Sequence, residues 1–83
     1  MSRKPSFIRL SKEAISEIES AMRVAAKEGR LRYRRRLQII WFSNKGCSVQ
    51  EIAGRFNISQ QTVWKYRRIY KEKGLDGLIG KYV

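Results

Sequence analysis

Histidine is absent and Cys47 is the only cysteine among 83 residues. No intrachain disulfide can form, and no cysteine and histidine set can hold zinc, so neither metal nor cofactor is expected. The longest apolar run is "IIWF", residues 39 to 42. A membrane helix needs about 20 apolar residues, so no membrane segment and no signal-peptide core is expected. The expected location is cytoplasmic, at the nucleoid if the chain binds DNA. Proline occurs once, at Pro5, and most of the six glycines punctuate stretches of helix formers, which predicts an all-α fold. A chain of this length makes one small domain with little room for a catalytic pocket, and no enzyme activity is expected of it.

Acidic residues are also scarce: 7 Asp and Glu stand against 19 Lys and Arg, a formal net charge of +12. So strong a field attracts polyanions, and nucleic acid leads among them. Residues 1–29 hold six basic and four acidic residues, whereas residues 30–83 hold thirteen and three. The partner surface therefore belongs mainly to the second part.

The first helix is expected to begin at Ser11, whose hydroxyl can cap free amides, and to stop at Gly29. Ile15, Ile18, Met22 and Ala25 share one face, as an amphipathic packing helix requires. A second helix runs from Leu31 or Tyr33 to Asn44. Leu37, Ile40 and Trp41 make one stripe on it while Ile39 and Phe42 point elsewhere, so it should lie sandwiched between neighbours. Its leading turn, "RLRYRRR", carries Arg30, Arg32, Arg34, Arg35 and Arg36, with no acid in the turn to pair with them. Five such cations at a helix start repel one another and the helix dipole, an arrangement that an anion such as phosphate relieves.

Beyond Gly46, Ser48 and Glu51 form a capping box, and Val49, Ile52, Ala53 and Phe56 follow helical spacing. This short helix ends at Asn57, a residue type tolerant of left-handed backbone, before Ser59 caps another. Ala53 is small enough for two helices to cross closely, and Ile58 can plug the corner. Val63, Tyr66 and Tyr70 then form a buried stripe that closes a three-helix core.

At about 100° per residue, that stripe sends Gln61, Trp64, Lys65 and Arg68 to the opposite face. Ser59 and Gln60 lie at the exposed first turn, and Arg67 and Lys71 flank the row. Glutamine can pair with adenine, arginine with guanine, and an indole can pack on thymine methyls. Each residue also has a plain reading, with Trp64 half-buried against the first helix and the polar residues merely solvated. Together, after a capped helix-turn-helix in a basic segment, they point to groove contact.

The stretch "CSVQEIAGRFNISQQTVWKYRRIYKEKGLDGL" resembles the helix-turn-helix near the N-terminus of mariner-like and related bacterial insertion-sequence transposases. "GCSVQEIA", "SQQTV" and "GLDGL" follow one another in that family's order. "IRLSKEAISEIESAMR" and "RYRRRLQII" are similar to the helix and basic segment that precede the motif there. The resemblance implies a homeodomain-like three-helix core with an N-terminal packing helix, and recognition of terminal inverted repeats of a mobile element. By it, Ser59, Gln60, Gln61, Trp64, Lys65 and Arg68 are the base-contacting positions. Such transposases continue into a catalytic domain with three acidic metal ligands. Here the single aspartate is Asp76, so the chemistry would belong to a domain or subunit outside these 83 residues.

The expected partner is double-stranded DNA, with phosphates met by Arg30, Arg32, Arg34, Arg35, Arg36, Lys45, Arg67 and Lys71. Arg3 and Lys4 belong to an arm that could enter a minor groove. The expected division is a basic arm over residues 1–10, the DNA-binding domain over 11–75 and a tail over 76–83. A monomer in solution is expected, with a homodimer on paired half-sites as the alternative. A stand-alone regulator, an RNA-binding protein and a protein-interaction module are the competing readings.

Overall fold

The computed structural model describes residues 10–79, and these form four helices joined by short turns. Helix α1 (Lys12–Lys27) starts where the Ser11 hydroxyl accepts from the Ala14 amide at 3.1 Å. It ends at Gly29 (φ 75°), where the Arg30 amide reaches back to the Ala25 carbonyl at 2.8 Å and the Gly29 amide to Ala26 at 3.3 Å. That pair of bonds is a Schellman closure, which satisfies carbonyls the helix leaves free.

Helix α2 (Leu31–Asn44) follows at once and runs back along α1. The Leu10 amide donates to Asn44 Oδ1 at 2.8 Å and the Trp41 indole N–H to Glu19 at 3.1 Å, tying the two helices at separate points. Leu10 thus packs into the domain rather than belonging to an arm.

Helix α3 (Val49–Phe56) is framed by the capping box: Ser48 Oγ accepts from the Glu51 amide, and Glu51 Oε1 from the Ser48 amide. Asn57 terminates it in the left-handed region at φ 57°, ψ 48°. Ser59 then caps helix α4 (Gln60–Leu78) through the Thr62 amide. All four of these boundary residues act as their types predicted.

Helix α2 occupies the centre because two apolar faces, roughly 200° apart at Leu37 and Ile39, need cover. On one side Leu37 and Ile40 meet Ile18 of α1 and Leu78 of α4. On the other, Ile39 meets Val49, Ile52, Ala53 and Val63. Tyr66 packs against both clusters. Val63 therefore serves the α3 side, and Tyr70 the α1 side, rather than one common stripe. Among the described residues no helix is long and apolar enough to cross a membrane.

The last turn differs from the expected tail. Gly74 breaks α4 at φ 66°, ψ −150°, and the chain then makes one more helical turn. Leu78 is fully buried and Leu75 packs beside it, so the folded unit extends past residue 75. Arg36 secures this turn by donating to the Leu78 carbonyl at 3.1 Å. A Cβ at Gly77 would fall 2.5 Å from Ile69 Cγ2, so the last turn lies too close to the part of α4 before Gly74 for a side chain there. The Gly74 conformation is almost confined to glycine. Gly74→Ala is expected to cost about 1–3 kcal/mol, read in a thermal melt as a shift of about 4–8 °C per kcal/mol.

Candidate nucleic-acid interface

Ser59, Gln60, Gln61, Trp64, Lys65 and Arg68 are all exposed. Their exposure follows from what α4 buries: Val63 locks into the α3 cluster, and Tyr66 and Tyr70 face α2 and α1. Gln61, Trp64, Lys65 and Arg68 fall at i, i+3, i+4 and i+7, which places them in one strip along the free side. Trp64 is 49% exposed, so α1 does not cover it. Ser59 Oγ lies 2.9 Å from Thr62 Oγ1, so its hydroxyl is partly engaged in starting the helix.

Glu72 continues the same strip four residues beyond Arg68 and is exposed. A carboxylate there repels phosphate, so the strip itself faces an anion no further than Arg68.

Arg67 departs from the sequence expectation. It is only 6% exposed and cannot serve as a flanking phosphate contact. Its Nε donates to Ser43 Oγ at 2.9 Å and its Nη2 to the Cys47 carbonyl at 3.3 Å. Burial pushes its pKa below the usual arginine value. The signal was in the spacing: Arg67 is four residues after Val63, about 40° around the helix and within the buried stripe. The other shifted groups are phenols. Burial raises Tyr33, with Arg30 opposing and Asp76 adding to the shift, and burial together with Glu17 raises Tyr70.

The arginine run does not form one surface. Arg30 pairs with Glu28 at 3.1 Å, an acid just upstream of the turn that was expected to have none. Both side chains are more than half exposed, and such pairs contribute little. Arg34 lines a groove between α1 and α2 with Met22, Arg23 and Trp41. Arg36 lies over the Tyr66 ring at 5.4 Å while bonding Leu78, so it is drawn into the fold. Arg32 and Arg35 remain exposed. Helical rotation accounts for this scatter, since Arg34 and Arg36 point about 200° apart.

The run meets α4 on its packed side rather than on the strip: Arg36 touches both the Tyr66 ring and the Leu78 carbonyl. Lys45 and Lys71 are exposed, with Lys45 Nζ 4.9 Å from the Trp41 ring centre. Arg55, missed in the sequence reading, is exposed on α3 with its guanidinium 4.7 Å from the Phe42 ring. Its only sequence signal was its place on the polar side of α3. Arg3 and Lys4 lie outside the described residues. No group of three or more cysteine or acidic side chains that could hold a metal ion occurs among the described residues.

A family model described as a homeodomain-like domain matches residues 30–79, which span α2, α3 and α4. No curated protein and no solved structure matches the chain.

Proposed function

Because the chain belongs to the homeodomain-like family, we propose that it binds double-stranded DNA with α4 in the major groove. Gln60, Gln61, Trp64, Lys65 and Arg68 read base edges, and Ser59 orients the first turn. The observation that carries this reading is the exposed strip of Gln61, Trp64, Lys65 and Arg68, with Gln60 beside it at the first turn, on the side of α4 away from its buried residues. Glutamine offers a paired donor and acceptor to adenine and arginine a fork to guanine, and the exposed indole can pack on thymine methyls. Arg32, Arg35, Lys45, Arg55 and Lys71 meet phosphates and set the register.

The recognised sequences are repeats such as the terminal inverted repeats of a mobile element, and the cutting and joining chemistry belongs to a catalytic partner. The chain acts as the binder. Selection of bound sequences from a random duplex library tests this: an inverted-repeat terminus is expected, while a promoter palindrome identifies a transcriptional regulator instead.

Neutralising about five phosphates makes log affinity fall with log salt at a slope of roughly −4 to −5. A titration across salt concentrations measures it. A slope near zero contradicts DNA binding, and preference for structured RNA over duplex in competition contradicts the major-groove reading.

A further inference from the structure

Arg67 is costly where it stands. Among the described residues it has no carboxylate partner, and its guanidinium is held by two neutral oxygens and an aromatic face. Taking such a cation out of water is costly, and its two bonds to neutral oxygens offset only part of that cost.

Its third neighbour offers an explanation. The Arg67 guanidinium carbon lies 5.3 Å from the centre of the Trp64 ring, the exposed indole of the α4 strip. The guanidinium is itself fixed. Ser43 spends its proton on the Ile39 carbonyl at 2.9 Å, which leaves its oxygen to accept from Arg67 Nε, while Nη2 donates to the Cys47 carbonyl. Two donors in a planar fork hold the plane's orientation and leave a flat face for the ring.

The geometry points to Arg67 as the positioning residue for Trp64: it anchors α4 to α2 and to the turn before α3, and holds the indole ready for the DNA groove. The inference rests on the proposed reading of α4. Arg67 touches no DNA; it acts by removing rotational freedom from Trp64 before binding, so that less is lost when the complex forms. Lysine cannot substitute, because a point charge does not make both bonds and present a face together.

The test uses the full chain carrying Trp41→Phe, which leaves Trp64 as the sole tryptophan. In that background, Arg67→Met, which gives up the two anchoring bonds along with the cost of burying the cation, is expected to stay folded in a thermal melt. Without DNA, the decay of Trp64 fluorescence anisotropy should gain a fast component. Affinity for the library-selected duplex should fall roughly three- to tenfold, with the salt slope and random-duplex affinity unchanged. In a Trp64→Ala background the same substitution should cost almost nothing. Ser43→Ala, which removes one acceptor and keeps the cation, should loosen the indole in the same direction.

Unchanged Trp64 motion in both variants overturns the inference, as does an equal affinity loss with and without Trp64, and a shallower salt slope would make Arg67 a phosphate contact instead. The motion is measured in the free protein, so it stands apart from the DNA reading. If the parent itself shows no sequence preference, the reading of α4 fails whatever Arg67 does to the indole.

Discussion

Ile39→Ala is expected to lower stability by about 2–5 kcal/mol. Ile39 is fully buried and is α2's contribution to the cluster formed by Val49, Ile52, Ala53 and Val63. Removing it opens a cavity where all three helices of the helix-turn-helix meet. Small domains hold about 5–15 kcal/mol in total, so the loss takes a large share. At about 4–8 °C per kcal/mol, the thermal midpoint should fall by about 8–40 °C. Duplex binding at 37 °C should fall with it, because this cluster sets α4 against α3. A melt followed by circular dichroism, paired with a binding isotherm, separates the variant from a surface change, which should leave both unaffected.

The second large effect concerns reading rather than folding. Gln61→Ala and Arg68→Ala should each cost about 1–3 kcal/mol on the selected duplex and little on random duplex. Both side chains are exposed, so the melting temperature should hardly move. Arg68 carries charge, so its removal also takes a small sequence-independent share; Gln61 takes none. The two sites are seven residues, about 10 Å, apart along one face, so their costs should add approximately in the double variant. Equal losses on selected and random DNA would mean that the strip supplies adhesion without discrimination.

Much of this architecture was legible because it is written locally. Ser11, Ser48 with Glu51, Asn57 and Ser59 each act within a few residues of themselves, and each marks the boundary its type predicts. The sandwiching of α2 was legible for a related reason, since Ile39 and Leu37 cannot share a face.

What escaped was tertiary. Arg67 looks like surface by residue type; its spacing from Val63 puts it on the buried side, but the partners that satisfy it there, Ser43 and the Cys47 carbonyl, lie 24 and 20 residues away. The arginine run reads as one patch along the chain, yet helical rotation sends Arg34 toward α1 and Arg36 toward the end of α4. "GLDGL" looks like a loop for its two glycines. Its leucines, three apart at 75 and 78, carried the helical signal, and the Arg36 bond to Leu78 spans 42 residues.

The most direct test is a nuclear magnetic resonance titration of isotopically labelled protein with the library-selected duplex. The expected result is that the largest shifts fall on the amides of Gln60, Gln61, Trp64, Lys65 and Arg68 and on the Trp64 indole N–H, with α1 little changed. Shifts concentrated on α1 or the start of α2, with the α4 strip unmoved, would contradict sequence reading by α4.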